Sequence, residues 1–131
     1  MIKMAKEVAT KNAPNAVGPY SQAVQVGNTL YCSGQIGLDP ATGKLVSANV
    51  VDQTTQALHN LQEVVKTAGF KLDDVVKVTV FMANVADFSE INKIYDQFFG
   101  NAKVLPARSA VGIAGLPLGA QVEIEAIASK S

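Results

Sequence analysis

Between Val75 and Met82 the residues alternate: Val76, Val78, Val80 and Met82 fall on one side of an extended chain, Lys77, Thr79 and Phe81 on the other. The segment Gln121–Ala128 repeats the pattern, with Val122, Ile124, Ala126 and Ala128 set against Glu123, Glu125 and Ile127. The first set of each suits a core beneath helices. The second mixes charges with Phe81 and Ile127, which is too apolar for a plain solvent face. Only two stretches have helical spacing. In Val50–Ala68 the apolar stripe is Val51, Leu58, Leu61, Val65 and Ala68, with Gly69 placed to end it. In Phe88–Phe99 the stripe is Phe88, Ile91, Tyr95 and Phe98 with Ile94 and Phe99 alongside, Asp87 as cap, Glu90 at capping-box distance and Gly100 as stop. Two helices cover one face of a mixed sheet, which predicts a two-layer α+β fold. The other face then calls for another subunit.

The remaining punctuation agrees. A short strand is predicted around Lys6–Ala9, an ordered loop over Asn12–Pro19, and strands over Gln22–Val26 and Thr29–Ser33 joined by the hairpin signal Gly27-Asn28. Asp39–Gly43 reads as a turn, Ala107–Ile113 as a strand, and Leu116–Gly119 as a turn before the last strand. A length of 131 residues suits one domain spanning 1–131, and 48% hydrophobic residues supply a core, which argues against wholesale disorder. Eleven Lys and Arg balance eleven Asp and Glu, so no broad field draws the chain to nucleic acid or an anionic membrane. No apolar run approaches the roughly 18 residues of a membrane span. Cys32, alone, forms no intramolecular disulfide, and Met1–Lys11 lacks the apolar stretch of a signal peptide and the arginines of an organellar presequence. The expectation is a cytoplasmic protein.

Arg108 is the one arginine in a chain with ten lysines. Its planar guanidinium grips a carboxylate or phosphate through two parallel hydrogen bonds, which lysine does less well. Ala110 and Gly112 share its face and leave room for a small anionic ligand. The competing reading is a structural ion pair with Glu123 or Glu125, or a solvent-facing edge. Glu123 and Glu125 project the same way, about 7 Å apart by strand rise. They read as a general base with a helper, or more simply as partners for Lys77 and Arg108. Tyr20, after Gly18-Pro19, is either a pocket wall with a phenol donor or an aromatic plug. Ser33-Gly34-Gln35-Ile36-Gly37 is either an anion nest with a hydroxyl or plain turn geometry.

Other candidates fail. Gly37–Lys44 approaches a phosphate-binding loop, but the spacing is one residue too long and Leu45 stands where Ser or Thr is required. His59, the single histidine, builds no metal site unaided, and Cys32 in an apolar strand reads as a small hydrophobe. Scattered lysines without interleaved aromatics make no nucleic-acid platform.

Taken together, Asn12-Ala13-Pro14, Gly18-Pro19-Tyr20-Ser21-Gln22-Ala23, Ser33-Gly34-Gln35-Ile36, Val78-Thr79-Val80-Phe81, Pro106-Ala107-Arg108-Ser109 and Val122–Ala128 resemble the Rid family. These are the reactive-intermediate imine/enamine deaminases, also called YjgF-type, and the match is most like the archetypal RidA branch. The resemblance runs from about residue 5 to 129, with the motifs in order. It implies a chorismate-mutase-like fold and a homotrimer with active sites between subunits. It implies hydrolysis of 2-aminoacrylate and related 2-imino acids (2-iminopropanoate, 2-iminobutanoate) to 2-keto acids and ammonia, without cofactor or metal. By the same resemblance Arg108 clamps the substrate carboxylate, Tyr20 and Ser33-Gly34 line the pocket, and Glu123 manages the attacking water. Many relatives carry cysteine where this chain has Ala110; a role played through the backbone carbonyl there survives the change. The alternatives are a metabolite-binding regulatory module and, least in keeping with the charge, an RNA-cleaving translation inhibitor.

Overall fold

The alternating segments become the middle of a six-stranded sheet. In the computed structural model, which describes residues 4–131, the strands are β1 (Ala5–Val8), β2 (Ala23–Val26), β3 (Thr29–Gln35), β4 (Val75–Met82), β5 (Ala107–Gly112) and β6 (Val122–Ser129). Positions 1–3 of the N-terminal stretch read above for a leader lie outside the described residues. The order across the sheet is β1-β2-β3-β6-β4-β5. Every neighbouring pair is antiparallel except β4 and β5. The helices are α1 (Val50–Thr67) and α2 (Phe88–Phe99), and α2 is the crossover that a parallel pair requires.

Both helices pack on one face. Leu30, Val78, Val80, Val122 and Ile124 from the sheet meet Leu58, Leu61, Val64 and Val65 from α1 and Ile91 and Phe99 from α2. Burying each such side chain contributes about 1.5–3 kcal/mol, so this layer is the main source of stability. The strand exit is sewn to α1 by polar groups. Asn60 Nδ2 donates to the carbonyls of Ile36 and Leu38 at 3.2 and 2.9 Å. Gly37 lies so close to α1 that a Cβ there would stand 2.6 Å from the Cα of Gln53, which only glycine avoids. The Gly27-Asn28 hairpin forms as expected, with Gly27 at φ 59°.

Two expectations are corrected. Val76 is not a core residue. The register between β4 and β6 shifts from Val75↔Ala128 to Lys77↔Ile127, so Val76 is the extra residue of a bulge. Val75 takes the core position at 1% exposure while Val76 stands at 47%. Nor does Asp87 cap α2, since it is already helical (φ −81°, ψ −5°) and makes no cap hydrogen bond. A 3₁₀ turn over Val85–Asp87 runs straight into the helix, and the capping oxygen comes three residues earlier, from Asn84 to the amide of Ala86. The Glu90 capping box is therefore absent.

The face away from the helices is partly apolar, as the alternation requires. Tyr31 is 51% and Val111 42% exposed there, with Phe81 and Ile127 half-buried. Tyr31 opposes Ile127, and Phe81 is flanked by Glu123 and Val111.

Candidate functional site

Arg108 lies on β5, an edge strand, in register with Val78. Because Val78 points into the core, Arg108 starts toward the helical layer and reaches α2. There its Nη1 donates to Oδ1 of Asn92 at 2.7 Å. Its Cζ stands 4.7 Å from the ring centroid of Tyr95 and 5.3 Å from that of Phe88, within cation–π range of both. Beside it is a cavity of about 360 Å³ lined by Asn92, Tyr95, Asp96, Leu105, Pro106 and Arg108. Ala110, in register with Val80, is half-buried on the same side against the core.

The carboxylates are on the other face. Glu123 opposes Phe81 and Glu125 opposes Thr79, so both point away from the helices. The ion pair of Arg108 with Glu123 or Glu125, weighed from sequence, is ruled out by this geometry: the sheet stands between them. Lys77 does lie on the carboxylate face, where its Nζ bonds Ser109 Oγ at 2.9 Å. Glu123 is half-buried, and burial, reinforced by the neighbouring Glu125 charge, raises its pKa from its ordinary value.

Gly34, with Ser33 beside it, packs against Glu123, on the face away from Arg108. The β3–β6 register moves from Cys32↔Ala126 to Gln35↔Ile124, so Ser33 and Gly34 bulge past one residue of β6. A Cβ on Gly34 would stand 2.7 Å from Cδ of Glu123; the missing side chain is the space the carboxylate fills. The Ser33 hydroxyl donates to the carbonyl of Ser21 at 2.6 Å, and its amide donates to Gln22 O at 3.0 Å. Ser33 thereby ties the Tyr20 loop to the strand. Tyr20 is 52% exposed and is no buried plug; its hydroxyl accepts from the Val17 amide at 3.3 Å.

A second clamp fixes that loop. Gln22, 4% exposed, accepts from the Thr10 amide at 2.6 Å and donates to the carbonyls of Thr10 and Pro14 at 3.0 and 2.7 Å. A hollow of about 290 Å³ beside Gln22, bordered by Glu7, Thr10 and Lys11, holds none of the candidate residues. Cys32 is buried, and burial pushes its thiol up to about 12, so it is no nucleophile at neutral pH. Among the described residues, no three His, Cys, Asp or Glu side chains are grouped to hold a metal ion.

Asn92 and the two rings of α2 escaped the sequence reading, which assigned Phe88 and Tyr95 to the core stripe alone. The usable signal is spacing: Asn92 falls four residues after Phe88 and three before Tyr95, so the three side chains share one helix surface.

Residues 10–130 match a family model described as Endoribonuclease L-PSP. A Mus musculus protein named 2-iminobutanoate/2-iminopropanoate deaminase is 53% identical over 123 residues, which cover 94% of this chain and 90% of the relative. The crystal structure of the E. coli YjgF gene product superposes with a TM-score of 0.91 at 47% identity, covering 96% of this chain and 99% of that one. E. coli TdcF with bound serine superposes with the same TM-score at 42% identity and the same coverage.

Proposed function

This chain belongs to the endoribonuclease L-PSP family, the YjgF/Rid family, and on that premise we propose that it is a deaminase that hydrolyses 2-aminoacrylate and related 2-imino acids to 2-keto acids and ammonia. The observation that carries the reading is Arg108, a lone guanidinium held beside a cavity and joined by a neutral amide rather than a carboxylate. Its charge is left for a ligand. The name of the mouse relative supports the substrate class.

The working unit in this reading is a homotrimer with sites between subunits. Arg108 and Glu123 occupy opposite faces of one sheet. A single chain does not bring both to one small substrate, whereas a copy docked on the open face brings one subunit's Arg108 to its neighbour's Glu123. Arg108 then holds the carboxylate, present in both ground and transition states, and so contributes binding and orientation. Tyr20, Ser33, Gly34 and the backbone at Ala110 shape the pocket. The enamine tautomerises to the imine, water adds to C2, and the resulting carbinolamine expels ammonia as the C2–O bond becomes a carbonyl. Glu123 takes a proton from the adding water and passes it to the imine nitrogen, then carries the carbinolamine hydroxyl proton to the departing amine, tasks suited to a carboxylate whose pKa burial raises. The route uses water and side chains only, and a cytoplasmic location accords with the single buried thiol.

The test is a coupled assay in which serine/threonine dehydratase generates 2-aminoacrylate and keto-acid formation is followed. Arg108→Ala is expected to lose the acceleration while keeping the parent assembly; normal hydrolysis by this variant would sink the reading. A metabolite-binding module is the second reading, favoured by the serine held by TdcF; ligand binding without faster turnover would select it. RNA cleavage, which the family description names, is expected to be absent, and cleavage that persists in Arg108→Ala points to another site or a contaminant.

A further inference from the structure

An exposed arginine on an edge strand ordinarily samples many rotamers, yet Arg108 is held at three points. Tyr95 and Phe88 lie against its guanidinium, and Asn92 accepts from Nη1 at 2.7 Å. A guanidinium has five N–H donors in one plane, and a carboxylate is gripped best by two parallel ones. With two rings stationed against the group, the sides they cover are closed to a ligand. With one donor taken by Asn92, the plane is fixed and the other donors stay free. The chemistry of the acceptor matters. The amide oxygen of Asn92 takes a single donor without neutralising the charge, whereas a carboxylate there would occupy the fork as a substrate does.

We propose that Asn92 is the positioning residue that sets the plane of the Arg108 fork, and that it thereby makes the site selective for planar 2-oxo and 2-imino carboxylates over their uncharged analogues. The inference rests on the reading that Arg108 holds the substrate's carboxylate. Asn92 touches Arg108, not the reacting atoms. Phe88 and Tyr95 come from the same helix, so α2 delivers the whole mount to the edge strand.

The experiment measures binding of pyruvate and of pyruvamide to the full-length assembly by titration calorimetry, for the parent, Asn92→Ala, Asn92→Asp and Arg108→Ala. Losing one hydrogen bond to a charged group corresponds to about tenfold in affinity. Asn92→Ala is expected to weaken pyruvate by about tenfold and to leave pyruvamide within about twofold. Asn92→Asp is expected to weaken pyruvate further than Asn92→Ala, because the new carboxylate competes for the fork. A merely structural role moves pyruvate and pyruvamide together and does not rank Asp below Ala. Either result overturns the proposal, as does unchanged pyruvate affinity in both Asn92 variants. Far-UV circular dichroism checks that each variant folds; Asn92→Ser, expected to retain a local acceptor and an intermediate affinity, replaces any that does not. Tight pyruvate binding by Arg108→Ala would instead refute the carboxylate clamp itself. If Arg108→Ala loses pyruvate while the Asn92 variants keep it, the clamp stands and only the positioning role falls.

Discussion

In the proposed mechanism Glu123 couples stability to chemistry. Burial first, and the Glu125 charge second, raise its pKa in the folded chain, while the unfolded chain leaves it at an ordinary carboxylate value. Between those two values the folded state holds more protons than the unfolded state. Stability therefore falls as pH rises through that window, and above it the ionisation penalty is complete. Glu123→Gln is expected to unfold at higher temperature than the parent at pH 7.5, with the gap closing as pH drops through the carboxylate range; thermal melts at both ends check this. The same variant is expected to lower kcat by about 100-fold, the usual contribution of a positioned general base. Greater stability with less activity is the signature of a residue kept for its reaction. Gly34 belongs to the same design, because any larger residue intrudes on the carboxylate.

Among the elements, α1 shows the cost of a missing cap most directly. The side chain of Asn49 accepts from the amides of Val51 and Asp52 at 2.7 and 3.3 Å, serving donors that have no partner within the helix. Asn49→Ala is expected to destabilise the fold by about 1 kcal/mol, read from urea unfolding. Helix α2 is built differently: its own first residue lies beyond a 3₁₀ turn capped by Asn84, so the chain from β4 enters it without a break. That continuity sets Phe88, Asn92 and Tyr95 along the edge where β5 returns. The turn between β5 and β6 carries local strain instead, with Leu118 at φ 58°, a left-handed conformation rarely taken by a branched side chain, followed by Gly119 at φ 69°.

For the molecule as a whole, the proposed assembly rests on the open face of the sheet. Tyr31, Phe81, Val111 and Ile127 line it together with Glu123 and Glu125. In the proposed trimer this face meets a second copy, so a charge at its centre disrupts association before it disturbs the core on the other side. Ile127→Glu is expected to sediment as a monomer with parent-like far-UV circular dichroism and to lose imine hydrolysis, since Arg108 and Glu123 then never share a substrate. A monomer that retained full turnover would break the link between assembly and catalysis.

The sequence by itself determined what repeats locally. Period-two alternation marked β4 and β6 as half-buried strands, the spacing of three and four marked α1 and α2, and the singular Arg108 stood out against ten lysines. The family motifs were legible for the same reason, being short and contiguous. Tertiary structure decided everything that depends on register. Alternation says which residues of one strand share a face, but not which face of one strand matches which face of another. The parallel pairing of β4 with β5 aligned Arg108 with Val78 and sent it to the helical side, away from Glu123. One extra residue at Val76 moved a valine from core to surface. Asn92, 16 residues before Arg108, became its partner only because α2 crosses back over the edge strand. Such contacts arise from the packing of a crossover helix on a twisted sheet, a property of the closed fold rather than of any window along the chain.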